Sequence, residues 1–267
     1  AFVLRTEFLI QILEGIHKYL PNIKHVTTYA RADSIARKSV SELRELKAAG
    51  IEHLYCGMET GSDLILRKIN KGFDAATIII GGTKAKEAGM VLSEFTLFGI
   101  GGKELAEENA VETAKVLNVI KPDFIRVHAT GIKLSSEMWN YVKNKELTLQ
   151  SEEEIVSEQK IMLELLADDM DCIYMNEHIV NLLLEVRGNI RTDKQNMLET
   201  INTYLQLPKQ EQELFNLGRR LNIMFFLADL NNRAKRKQTE EGLRKIKAQN
   251  PDLDLAFVCN YVRQTQI

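Results

Sequence analysis

Apolar positions along the first 131 residues alternate between helical and strand spacing. Phe8, Leu9, Ile12, Leu13 and Ile16 fall on one side of a helix over 6–20, with Thr6 as its N-cap and Pro21 just past its end. A strand follows over 23–29, then a helix over 39–49 with Val40, Leu43 and Leu46 on one side and Gly50 just beyond its C-terminus. The alternation continues with a strand over 51–56, helices over 63–69 and 74–88, a strand over 90–98, a helix over 104–119 and a strand over 124–128. Strands separated by helices are the pattern of βα units around a parallel sheet, so the expected class is α/β. After Gly131 no further strand is read. Helical segments follow over 152–169, 193–205 and 209–221, and a charged stretch runs over 231–248. The chain thus divides into a βα part, 1–131, and a helical extension, 132–267.

Composition narrows the classes of function. In 267 residues, 35 Lys+Arg against 37 Asp+Glu leave a net charge of −2, which gives no whole-chain reason to expect nucleic acid or an anionic membrane. A hydrophobic content of 45% with 4 Pro is that of a folded chain, not a disordered one. The longest apolar runs, near Ile80 and Phe225, fall far below the ~20 residues that cross a bilayer. Cysteines at 56, 172 and 259 make no disulfide framework, and no secretory pattern opens the sequence, so the expected compartment is the cytoplasm. The basic residues of 231–248, among them Arg236 and Lys247, read as a solvated helix face balanced in part by Glu240 and Glu241.

Ligands of parallel sheets collect at the C-terminal ends of the strands, so those residues are the candidates for chemistry. The first strand runs out into Tyr29-Ala30-Arg31, the second into Gly57-Met58-Glu59-Thr60-Gly61, the third into Gly99-Ile100-Gly101-Gly102, and the fourth contains Arg126 and His128. Glu59 leaves an apolar strand between two glycines. Its carboxylate either reaches a ligand hydroxyl or amine, or pairs with a base such as Lys71. Gly99, Gly101 and Gly102 permit close backbone approach or a turn with positive φ, but they do not meet the GxGxxG dinucleotide pattern.

Together these segments resemble the radical S-adenosylmethionine (SAM) enzymes. The residues that carry the resemblance are Gly57, Glu59, Gly61, Ser62 and Asp63, then Lys71-Gly72, a long helix, and the Leu97-Phe98-Gly99-Ile100-Gly101-Gly102 strand end. The order is that of the coproporphyrinogen-oxidase-like and methylthiotransferase-like branches. The resemblance implies the last four βα units of a partial (βα)6 barrel. It places Glu59, Thr60 and Gly61 near the ribose or methionine end of SAM, and Gly99, Gly101 and Gly102 at the adenine. Lys71 would partner the SAM carboxylate, and Arg31, Arg126 and His128 would line the same cavity. The extension is similar to a subgroup with a pattern matched here by Glu177-His178, Asn181, Gly188 and Asp193-Lys194. His178 is read either as an acid-base or ligand group or as a packed, hydrogen-bonded imidazole.

The chemistry of that family depends on a 4Fe-4S cluster held by CxxxCxxC, because the irons need grouped thiolates. Here no two cysteines are near in sequence, and the GGE-like element that binds the SAM amino group is missing. The simplest expectation is truncation: the cluster segment precedes Ala1 in a longer enzyme that cleaves SAM reductively, draws electrons from a donor such as flavodoxin or ferredoxin, and attacks an unknown substrate. The alternative is a cluster-less, non-catalytic binding or scaffold relative of the same fold. A TIM-barrel-like lyase or aldolase with a Schiff-base lysine is disfavoured, since no lysine ends a strand.

Overall fold

Elements alternate as the apolar spacing predicts, and they extend further along the chain than it predicts. The computed structural model describes residues 2–249, 252 and 254–266. In chain order the elements are α1 (Thr6–Tyr19), β1 (Val26–Ala30), α2 (Ala32–Ala36), α3 (Val40–Ala48), β2 (Ile51–Glu59), α4 (Asp63–Lys68), α5 (Ala75–Glu87), β3 (Val91–Phe98), α6 (Ala106–Ile120) and β4 (Phe124–Ala129). There follow α7 (Glu137–Lys143), α8 (Glu152–Leu165), β5 (Ile173–Met175), β6 (Gly188–Asn189), α9 (Ile190–Leu205), α10 (Lys209–Arg220), α11 (Arg233–Gln249) and α12 (Leu255–Thr265).

The strands form one sheet in the order β1-β2-β3-β4-β5-β6, with β1 to β5 parallel and β6 antiparallel to β5. Sequential parallel order is the winding of a (βα) barrel wall, whereas a doubly wound sheet reverses its order at a switch point. The protein is therefore α/β, a barrel-like sheet followed by a mainly helical extension. Burial alternates along each strand as this requires. Leu54, Cys56 and Met58 of β2 and Ile125 and Val127 of β4 are buried against helices, while His53, Tyr55, Arg126 and His128 remain half-exposed on the opposite, open face. Each apolar side chain so buried stabilises the fold by roughly 1.5–3 kcal/mol relative to an exposed one.

Two expectations are corrected. The sheet does not end at β4: the segment after Gly131 returns to add β5 and β6. β5 is only Ile173-Tyr174-Met175, with Ile173 exposed, and so short a strand shows no readable alternation. Thr6 is the first helical residue, not a cap; Arg5 holds the N-cap position without a side-chain bond, and Thr6 Oγ1 donates instead to Glu42 Oε1 at 2.8 Å. Ser39 and Ser151 do cap α3 and α8, each in a reciprocal box with the Glu three residues on.

In the extension, Glu152 of α8 accepts from Arg220 of α10 and Arg263 of α12, so the helices are locked by a buried ionic triad. The basic face of α11 is matched in part by acids: Lys235 pairs with Asp229, Lys247 with Glu213, and Arg236 with Glu211 and Glu240. No helix among the described residues is long and apolar enough to cross a membrane.

Candidate functional site

The register of β2 on β3 slips between Gly57 and Glu59, and Glu59 takes a left-handed backbone with φ 65°. That conformation is uncommon for a non-glycine residue and folds the Glu59 side chain back over Gly57. A Cβ on Gly57 would stand 2.6 Å from Glu59 Oε1 and 3.4 Å from Lys71 Nζ, so a side chain there would push the Glu59 carboxylate from this position. Lys71 Nζ donates to Glu59 Oε1 at 2.6 Å. Lys71 is delivered by the turn after α4, where Asn70 is also left-handed (φ 53°). Arg31, from the end of β1, donates to the Lys71 carbonyl at 2.8 Å, and both cations lie over the Phe73 ring. Arg31, Glu59 and Lys71 thus converge at one end of the sheet.

Thr60 and Gly61 turn into the protein instead. Thr60 Oγ1 accepts from Ser62 N at 2.9 Å, and Gly61 N donates to Thr113 Oγ1 at 2.9 Å. A Cβ on Gly61 would meet the Glu112 carbonyl at 2.2 Å, so this glycine is needed for α6 to seat against the loop. The glycines after β3 are likewise covered by the chain itself. Gly99, Gly101 and Gly102 are buried, and Gly99 N donates to Glu158 Oε2 at 3.0 Å. Burial raises the Glu158 carboxyl to about 7, although Asn109, Gln150 and Gly99 all donate to it.

The open sheet face carries a second constellation. The Arg126 guanidinium lies 4.9 Å from the Tyr55 ring, 5.7 Å from Phe124 and 6.0 Å from Phe95. Its Nε donates to Ser93 Oγ at 3.3 Å, and Ser93 Oγ is 2.8 Å from His53 Nε2. Its two terminal nitrogens have no acceptor among the described residues. Nearer the C-terminal end of β4, the His128 ring stands 4.2 Å from that of His178 and 5.4 Å from Phe95. Burial, then the neighbouring His178 and Arg126, lowers His128 to about 4, and burial lowers His178 and His53 as well.

His178 is placed by its loop. Asn181 continues the ladder of β4 with its side-chain amide, donating to the Val127 carbonyl at 2.7 Å and accepting from Ala129 N at 2.8 Å. Arg219, fully buried, donates to the carbonyls of Ile179, Asn181 and Leu182. Val180 N donates to His178 Nδ1 at 3.4 Å, which leaves the proton of the neutral ring on Nε2. The rest of that sequence pattern is structural. Asp193 accepts from Asn189 N, and Lys194 donates to the Leu166 and Glu164 carbonyls.

Strand-end reasoning missed His53, Tyr55, Ser93, Phe95 and Phe124. Their signal was the two-residue period that puts them on the same face as Gly57 and Arg126, opposite Leu54 and Ile125.

No protein-family profile and no curated protein matches the chain. Among solved structures, the archaeal Methanocaldococcus infernus Elp3 with an N-terminal deletion is similar over 62% of this chain and 43% of its own, at 15% identity and a TM-score of 0.49. A cobalamin-dependent S-adenosylmethionine radical enzyme, OxsB, is similar over 78% and 27%, at 15% identity and 0.37. HydG, a maturase of the FeFe-hydrogenase, is similar over 93% and 69%, at 13% identity and 0.41. The chain spans less than half the length of the first two.

Proposed function

We propose that this chain is part of a radical SAM-type barrel and that its β2 end binds the methionine moiety of SAM. The observation that carries the reading is the Glu59–Lys71 pair at the C-terminal end of a parallel strand, with the pattern of residues from Gly57 to Gly72 around it. A carboxylate beside an ammonium is complementary to an amino-acid zwitterion. Glu59 would accept from the α-ammonium or a ribose hydroxyl, and Lys71 would donate to the α-carboxylate. Arg31 holds the Lys71 backbone and so acts on the ligand through it. SAM, when bound, would supply a sulfonium centre; the chain's own residues would bind and orient it.

The 4Fe-4S cluster of such enzymes does not fit the residues present. Cys56 is on the buried face of β2, Cys172 precedes β5 and Cys259 lies in α12, all three buried. Burial pushes the Cys172 thiol up to about 12, far from the thiolate a cluster needs. Among the described residues no group of three or more His, Cys, Asp or Glu could hold a metal ion.

Equilibrium dialysis with labelled SAM tests it. Loss of a charge-assisted bond worth about 1.5–3 kcal/mol should weaken SAM roughly 10- to 100-fold in Glu59→Gln and in Lys71→Met. Absence of saturable SAM binding, or equal affinity in both variants and the parent, would sink the reading.

A further inference from the structure

We propose that Arg126 is the anchor of a second binding site on the open sheet face, one that takes a carboxylate carried on a planar, unsaturated body. It rests on the reading of this face as the substrate side of the barrel. Arg126 is the one cation on the sheet face between β2 and β4 that lacks an anionic partner among the described residues. Glu59 at the sheet end is committed to Lys71, and Asp123 just before β4 to Lys86 and Leu92 N. The Arg126 side chain is nevertheless held. Nε is fixed on Ser93 Oγ, and Ser93 is in turn fixed on His53, so the edge bearing the terminal nitrogens is left free. A fixed, planar guanidinium matches an oxyanion in a two-bond fork, which a lysine cannot offer.

The surroundings select the rest of the ligand. Tyr29, Tyr55, Phe95 and Phe124 give the patch a wall of rings: Tyr29 stands 5.4 Å from Tyr55, and Tyr55 6.0 Å from Phe95. Aromatic walls favour a flat, polarisable body by stacking, and a guanidinium seated among rings is less hydrated and binds an anion more tightly. Charge count separates carboxylate from phosphate. His53, His128 and His178 are all shifted toward the neutral form, so near neutral pH the patch offers a single positive charge, which suits a monoanion better than a dianionic phosphate monoester.

The test uses the whole chain without SAM, so that it stands or falls apart from the SAM reading. Calorimetric titration with 2-naphthoate, 2-naphthol and 2-naphthyl phosphate compares one ring system with three head groups. The expected result is saturable binding of 2-naphthoate, at least tenfold tighter than the other two, reduced tenfold or more in Arg126→Met and less so in Arg126→Lys. In the parent protein the Nε–H resonance of Arg126 should shift along the same titration curve, which keeps the test open if a variant fails to fold. No saturable 2-naphthoate binding, an equal affinity for 2-naphthol, tighter binding of the phosphate, or an unchanged affinity in Arg126→Met would each overturn the proposal.

Discussion

Lys71 Nζ sits 2.6 Å from Glu59 Oε1, and the backbone of Glu59 is left-handed to make that contact. The pair is thus obtained at a local cost: a non-glycine residue at φ 65° gives up roughly 1–2 kcal/mol. Such outliers persist where the surrounding structure over-determines them. Here the register slip in β2, the bare Cα of Gly57 and the Arg31 bond to the Lys71 carbonyl all act on the same two side chains.

That cost is measurable by comparing two deletions of the same carboxylate. Glu59→Gly and Glu59→Ala both remove the ion pair, but glycine adopts positive φ freely and alanine does not. Urea unfolding should find Glu59→Gly the more stable of the two by about 1 kcal/mol. The usual opposite order, alanine above glycine, would show that the left-handed backbone is not retained.

The ionic triad of the extension gives a larger effect. Glu152, Arg220 and Arg263 are each at most 2% exposed. Burial alone would raise the Glu152 carboxyl, yet Arg220 and Arg263 more than offset it and hold the group at about 2. Glu152→Gln leaves two guanidiniums buried against each other and should cost about 3–5 kcal/mol in urea unfolding. The triple replacement Glu152→Leu, Arg220→Met, Arg263→Met removes every charge at once and should cost less than the single change. A triple variant weaker than the single one would mean that the ions contribute more than apolar packing can replace.

Most of the sheet was legible because β2, β3 and β4 are long enough to display alternation, and α3 announces itself through Val40, Leu43 and Leu46 on one side and Gly50 past its end. β5 was not, since three residues carry no period. The site was legible in part. Pairing of Glu59 with Lys71 was one of two readings open from residue type alone, and the structure adds that both remain at the sheet end. Burial of Gly99 and Gly102 was hidden, because the groups that cover them, Leu147, Ile155 and Glu158, come from a segment some 50 residues on. The approach of His178 to His128 depends likewise on Asn181 and Arg219, whose partners no spacing rule connects.

That dependence predicts what loosens the loop over 176–183. Asn181→Ala removes two bonds to β4, and leaves the Val127 carbonyl and the Ala129 amide without those partners. It should cost about 1–3 kcal/mol and raise amide hydrogen exchange in this loop. The His178 titration followed by NMR should move up toward its ordinary value of 6.5, since burial is what lowers it. An unchanged His178 titration with faster exchange would mean that the ring is held by its tilted contact with His128 alone.

Glu94 should contribute a loss of stability as pH rises, opposite in sign to His128, whose lowering to about 4 favours the fold as pH rises toward 6.5. Glu94 lies opposite Cys56 on the helix-covered face of β3, fully buried, with neither carboxyl oxygen hydrogen-bonded among the described residues. Burial raises it from 4.5 to about 8; the Cys56 thiol beside it, too poorly aligned for a hydrogen bond, opposes the rise, as does Lys71, while the Glu59 charge adds to it. Below pH 4.5 the folded and unfolded chains both hold this proton, so it has no effect on stability. Between 4.5 and 8 only the folded chain holds it, and each pH unit removes about 1.4 kcal/mol at most. Above 8 the loss levels off. Glu158, raised to about 7 by burial, adds a slope of the same sign over the lower part of that window. Glu94→Gln cannot titrate, so its stability relative to the parent should climb steadily from pH 5 to pH 8, while Glu158 continues to tilt both curves. Parallel unfolding curves for the two proteins across that range would show that Glu94 is already ionised in the fold, and would call for a cation or bound water at its unpartnered oxygens.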